Sequence, residues 1–304
     1  MRTLSAAWKP SCVLPKDDAL NRMISSQLIG SLSGLISAVI WGSGDFAGGV
    51  ASRRNSPYQV LTLAALSGVV VLLVLALAWG DPLPERTDIL WAAAGGIGGA
   101  IGIAALYRGL SMGNAALVAP TTAVTATLVP VLFELLRRNP PRPGQMAGFA
   151  LALLGIWLVS QTQEGSSAQK RQGLWLALLA GVGFGSFFVL IGQVGPGAVF
   201  APLVIARTAA LVFAFLLLGL RRERLPALKS NPLALLAGIL DAGGNIFYFL
   251  ATHYTRLDVA AVLSSLYPAS TVILASTLTH EVIGARQWAG VIICLAAVVL
   301  ILAA

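Results

Sequence analysis

Apolar residues fill most of this chain in stretches of about twenty, separated by short polar or glycine- and proline-rich connectors. A helix needs about 20 apolar residues to cross the hydrocarbon core of a bilayer. On that rule the pattern predicts ten membrane-spanning helices: Leu28–Ala51, Tyr58–Trp79, Ile89–Leu110, Ala115–Leu136, Gly144–Ser160, Leu174–Val194, Pro202–Leu220, Pro232–Thr252, Val259–Leu278 and Gln287–Ala304. The pattern also occurs twice. Trp41-Gly42-Ser43, followed by a Pro57-led helix, reappears as Phe184-Gly185-Ser186 followed by a Pro202-led helix. Gln145-Met146-Ala147-Gly148 reappears as Gln287-Trp288-Ala289-Gly290. The offset is about 142 to 145 residues, close to half of the 304-residue chain. Five spans per half is an odd number, so the second half is expected to enter the membrane inverted. Inverted halves that rock against each other around a central site are an architecture for moving a solute.

The expected fold is therefore an all-α membrane protein of ten transmembrane helices in two inverted five-helix repeats. A polar tail covers residues 1–27, the first repeat 28–160, a linker 161–172 and the second repeat 173–304. The linker composition (QTQEGSSAQKR) predicts a flexible connection. The tail lacks the apolar core and small-residue cleavage site of a signal peptide. Met23, just before the first apolar stretch, is an alternative start.

Composition sharpens this picture. Hydrophobic residues make up 57% of the chain and charged residues only 11%, against roughly 25% charged in soluble domains. The chain is expected to be solvated mainly by lipid, in the cell membrane. Its formal charge of +8 suggests nucleic acid at first. The basic residues, however, lie in short clusters at span ends, such as Arg53-Arg54, Arg137-Arg138 and Arg221-Arg222. No basic groove with interleaved aromatics is present, so no nucleic-acid partner is expected. The clusters divide evenly between the two faces, and the positive-inside rule assigns no orientation. Cys12 and Cys294, at opposite ends, make neither a disulfide framework nor a metal site. Small residues four apart (Gly30/Gly34, Gly95/Gly99, Gly98/Gly102, Gly181/Gly185) predict close helix approach. Packing within the bundle is the favoured reading and a homodimer the alternative.

Ionisable groups inside a span are costly and face a cavity or a partner. Asp241 lies near the middle of the eighth span, with Asn245 and Tyr248 at i+4 and i+7 on the same helical face. A substrate or proton site is the sharper reading, and a bond to a neighbouring helix the plainer one. Asp45 stands in the first span, one turn after Trp41. It contacts an amine or ring of a substrate, or else pairs with Arg53 or Arg54. Arg207 in the seventh span either binds a carboxylate bidentately or snorkels to the interface, which is favoured. Arg108 and Glu134, near span ends, are read as snorkelling. The fourth span carries Pro120, Thr121, Thr122, Thr125, Thr127 and Pro130, and the ninth Ser264, Ser265, Tyr267, Pro268, Ser270 and Thr271. Proline frees a helix carbonyl that hydroxyls or water satisfy at membrane depth. Kinks at Pro120, Pro130 and Pro268 would then mark the central cavity.

Two catalytic patterns were weighed. His280-Glu281 begins like a zinc-binding HExxH helix, but position 284 is glycine and the second ligand is missing. Gly42-Ser43-Gly44-Asp45 resembles the GxGD element of intramembrane aspartyl proteases, with Asp241 as a second carboxylate sharing a proton. The order of the two aspartates is reversed relative to that family, and a protease leaves the duplication unexplained.

Several stretches together resemble the drug/metabolite transporter superfamily, EamA-type, over residues 28 to 304. They are Trp41-Gly42, AALYRGLSMGNAALVAP from Ala104 to Pro120, LDAGGNIFYFLAT from Leu240 to Thr252, and VAAVLSSLYPASTVILA from Val259 to Ala275. Glu281 before Gln287-Trp288-Ala289-Gly290 looks like the family's end-of-repeat pattern, and Asn139 departs from it in the first repeat. The resemblance implies a two-repeat carrier with cytoplasmic termini that moves, and often exports, amino acids or related metabolites by alternating access. It implies no enzymatic activity and no cofactor, and the absence of a Walker A sequence disfavours nucleotide drive. The candidate substrate-binding residues are Trp41, Asp45, Tyr107, Thr121, Asn245, Tyr248, Ser264 and Tyr267, with Asp241 as the proton-coupling group. A carboxyl in a low-dielectric cavity suits that role because its charge depends on solvent access.

Overall fold

The computed structural model describes residues 16–136, 142–160, 167–195, 200–254, 263–264 and 266–303. Among them the chain is helical, without strands. The helices are α1 (Lys16–Arg54), α2 (Pro57–Trp79), α3 (Arg86–Ser111), α4 (Ala115–Leu136), α5 (Pro143–Ser160), α6 (Ser167–Ile191), α7 (Phe200–Arg221), α8 (Pro232–Tyr254), α9 (Tyr267–Leu278) and α10 (Ala285–Ala303). A 3-10 turn, Leu228–Ser230, precedes α8. Six helices are long and apolar enough to cross a bilayer: α2, α3, α6, α7, the Gln27–Arg54 part of α1 and the Pro232–Ala251 part of α8. Shorter apolar stretches lie in α4, α5 and α10. Large side chains such as Leu77, Leu153, Val212 and Ile292 are exposed on the outer faces, where lipid would cover them.

Three boundaries differ from the sequence reading, each for a local reason. Helix α1 runs back to Lys16, because residues 16–27 contain neither glycine nor proline to stop it. Helix α6 begins at Ser167, since Ala168, Gln169, Lys170, Arg171 and Gln172 are good or tolerated helix formers. The linker is thus partly the first turns of a helix. The ninth segment divides at Leu266: residues 263–264 are helical, and α9 follows from Tyr267 with Pro268 in its first turn. Proline is favoured there because its missing N–H has no intrahelical partner to lose. Pro120 and Pro130 do lie inside α4. Asn139, Cys12, Ser265 and the 161–166 part of the linker lie outside the described residues.

The heaviest packing joins the two halves: α1 with α8, α3 with α6, α2 with α7, and α5 with α10. In the duplicated frame α6 corresponds to α1 and α8 to α3, so the α1–α8 and α3–α6 contacts are one contact made twice. The glycine pairs serve this packing. Gly98 faces Gly183 and Ser186 of α6, and Gly181 and Gly185 face Thr125 and Val129 of α4. The correspondence is incomplete. Helix α1 also packs on α3, whereas α6 and α8 make no comparable approach among the described residues.

Candidate functional site

Helices α1, α3, α7, α8 and α9 converge on a group of polar side chains at membrane depth. Asp241 on α8 forms an ion pair with Arg207 on α7, and both side chains are partly exposed. Asn245, one turn on, donates its amide to the Asp241 carbonyl at 2.7 Å and approaches the Asp241 carboxylate at 3.5 Å. Trp41 of α1 donates its indole N–H to the Asp241 carbonyl at 3.2 Å. Its ring leans over Tyr248, with centroids 5.7 Å apart at 34°. Gly244 makes this possible, because a side chain there would overlap the Trp41 indole. Ser37 adds a hydroxyl bond to the Gly244 carbonyl at 2.9 Å. Trp41, Asp241, Asn245 and Tyr248 thus form one contact group across α1 and α8.

Asp45 lies one turn beyond Trp41 and is half-buried. Its neighbours Gly44 and Gly42 face α8 and α9 respectively, so the helical rotation directs position 45 between those two helices. Its carboxylate acts electrostatically on the hydroxyls of Tyr107 on α3 and Tyr267 on α9. Arg207 also acts on Tyr107. Among the described residues no side chain makes a hydrogen bond or ion pair with Asp45. The expected alternative, Arg53, is engaged elsewhere, with Glu281. The site therefore holds one compensated carboxylate and one without a partner among the described residues.

Other candidates sit apart. Thr121 is fully buried in α4, and among the described residues its hydroxyl makes no hydrogen bond. Ser264 is buried and donates to the Gly34 carbonyl at 3.3 Å, tying the approach to α9 against α1. Thr271, on the same helix as Tyr267, donates to the Gly42 carbonyl at 3.1 Å. Arg207 is the residue that sequence reasoning sent to the interface. Its long stem admits both places, and only the facing Asp241 decides between them. Depth was the available signal: about seven residues into α7, or about 10 Å at 1.5 Å per residue.

One end of the bundle is closed. Arg53 at the end of α1 pairs with Glu281 at 2.5 Å. The second oxygen of Glu281 accepts the Ala115 N–H at the start of α4, at 3.0 Å. Tyr107 rests on Gly48, where any side chain would overlap its ring. The gap between Phe46, Arg53, Leu110, Thr271 and Glu281 has a volume of about 10 Å³, with no room for a solute. At the other end Asp81 accepts the first two N–H groups of α7, from Phe200 at 2.5 Å and Ala201 at 2.8 Å. That carboxylate caps a helix N-terminus and staples the α2–α3 connection to α7.

The family model of the EamA-like transporter family matches residues 28–161 and again 171–303, one match for each half. The chain belongs to the EamA-like transporter family. It is a multi-pass integral membrane protein of a transporter family. An uncharacterized protein of Methanocaldococcus jannaschii is 27% identical over 128 residues, which are 42% of this chain and 93% of that one. That relative is therefore about one repeat long. A crystal structure of a protein superposes with a TM-score of 0.59 at 19% identity, over 89% of this chain and 94% of the other. This similarity shows the shared fold.

Proposed function

We propose that this EamA-like protein is a secondary transporter that exports a small ammonium-bearing metabolite, such as an amino acid or related compound, across the cell membrane by alternating access. The carrier has ten transmembrane helices in two inverted repeats, and its substrate site lies where α1, α7 and α8 meet. The observation that carries the reading is the pair of carboxylates between the halves. Arg207 compensates Asp241, while Asp45 has no described partner. A carboxylate at membrane depth needs a cation or a proton. A substrate ammonium or a proton satisfies Asp45, with Tyr107 and Tyr267 beside it and the Trp41–Tyr248 rings as an apolar wall. Cations are also attracted to aromatic faces.

The ion pair modifies the role expected of Asp241. Its charge is tied to Arg207, so in this reading Asp241 orients the site with Asn245 while Asp45 exchanges proton for substrate. The intramembrane protease gains no support. A shared-proton dyad needs its two carboxyls together, and here the Asp241 carboxylate faces Arg207 instead.

Metabolite profiles of cells lacking or overproducing the protein test this directly. The expected result is an ammonium-bearing metabolite that builds up inside the deletion strain and outside the overproducer. Changes confined to anionic or uncharged metabolites would refute the assignment of substrate class.

A further inference from the structure

The closed end carries a device that the opposite end cannot copy. Glu281 reaches its position through a tight turn after α9. His280 adopts a left-handed backbone with φ 52°. The N–H groups of Thr279 and Glu281 both return to the Ala275 carbonyl, each at 3.2 Å, a pattern that ends a helix and fixes the direction of the next residue. A non-glycine residue in that conformation is uncommon and strained. From this turn one carboxylate of Glu281 binds two other helices: Arg53 of α1 through one oxygen and the Ala115 N–H of α4 through the other. The Glu281 side chain is only 10% exposed, while Arg53 at 32% reaches out to solvent. Three elements, α1, α4 and the α9–α10 turn, are held by a single side chain.

The duplicated frame places residues 195–198 opposite Arg53 and residues 136–139 opposite Glu281, at offsets of about 142 to 145 residues. The first set reads Gly-Pro-Gly-Ala, without a basic residue, and the second Leu-Arg-Arg-Asn, without an acidic one. An equivalent ion pair is chemically excluded there. The packing agrees: α1 meets α3 near the latched end, where Gly48 and Gly49 face Tyr107 and Leu110, and among the described residues α6 makes no comparable approach to α8.

We infer that Arg53–Glu281 is a one-sided latch that biases the unloaded carrier toward closure at the Arg53 end, leaving the site to open between α6 and α8. This rests on the carrier reading above, because a latch matters only if the two ends alternate. Breaking it shifts the population toward the state open at the Arg53 end. A ligand or mutation moves a two-state equilibrium only by its differential interaction with the two states, and this ion pair exists in one of them.

The test uses the full-length chain in membranes, with Cys12 and Cys294 replaced by alanine and one reporter cysteine at a time. Val50→Cys reports the latched end, beside Arg53 and Glu281. Tyr248→Cys reports the side of the site toward the end of α8. A membrane-impermeant maleimide, applied to both faces of opened vesicles, should label Tyr248→Cys quickly and Val50→Cys slowly. Arg53→Ala and Glu281→Gln should each raise Val50→Cys labelling several-fold and lower that of Tyr248→Cys. Arg53→Lys, which keeps the ion pair, should leave both rates near the starting values. Unchanged rates in Arg53→Ala and Glu281→Gln overturn the latch. A rise at both reporters together overturns it too, because the bundle has then loosened without switching ends. Transport is not read here, so a chain that switches ends yet carries no solute retains the latch and loses the carrier reading.

Discussion

Asp241 and Arg207 sit on different helices, and their pairing is the residue-scale fact with the largest energetic weight. Removing one partner of a buried ion pair strands the other charge at a cost of about 3–5 kcal/mol, while replacing both with apolar groups is often neutral. This pair is partly exposed, so each loss is expected to cost less. Arg207→Met and Asp241→Asn are each expected to lower the unfolding temperature of the purified protein in detergent. Arg207→Met combined with Asp241→Leu should recover most of the loss. Single variants as stable as the parent would show that the pair is dispensable to the fold. Asp45→Asn strands no charge and should leave stability unchanged. The i, i+4, i+7 relation of Asp241, Asn245 and Tyr248 was legible in the sequence because it is a property of one helix. The Arg207 partnership was not, because it depends on how α7 and α8 rotate against each other. The same holds for Asp45: sequence offered Arg53 or Arg54 as partners, and the turn after α9 supplied Arg53 with Glu281 instead.

At the scale of elements, hydropathy located the helices well wherever burial and composition agree. It failed at ends governed by backbone chemistry. Polar residues without glycine or proline let α1 and α6 extend beyond their apolar stretches. Pro268 lies in the first turn of α9, just after the turn at Leu266. Close approach between elements depends on glycine at Gly48, whose missing side chain is replaced by the Tyr107 ring. Gly48→Leu should therefore overpack the α1–α3 contact and cost about 1–3 kcal/mol. Gly173→Ala is the control, since an added methyl there meets only Leu117 at an ordinary 3.6 Å, and alanine favours helix by about 1 kcal/mol. Thermal unfolding of the two variants should move in opposite directions. Equal effects would mean that the α1–α3 contact is looser than its geometry indicates.

The whole molecule is two halves bound mainly across their shared interface, and the duplicated sequence pattern announced that arrangement. Each half matches the same family model, and a relative about one repeat long matches one half. In the proposed ten-span arrangement, with five spans per half, the second half inserts inverted. A cysteine at position 166 in the linker and one at position 304 should accordingly be labelled from opposite faces of the membrane. Labelling from the same face would contradict the inverted arrangement. What the duplication concealed is the inequality of the two ends, because the latch residues differ between the repeats.

Flux into sealed liposomes is the most direct measurement of the central claim. The purified protein, reconstituted without nucleotide, should accumulate a labelled ammonium-bearing metabolite when a pH gradient is imposed. Amino acids and their decarboxylated amines form the first panel, with N-acetylated amino acids, nucleosides and sugars as contrasts. Accumulation should vanish in Asp45→Asn, while Arg53→Lys behaves like the parent. Flux no greater than that of empty liposomes across the whole panel, from protein shown to be folded by its thermal unfolding transition, would contradict the account.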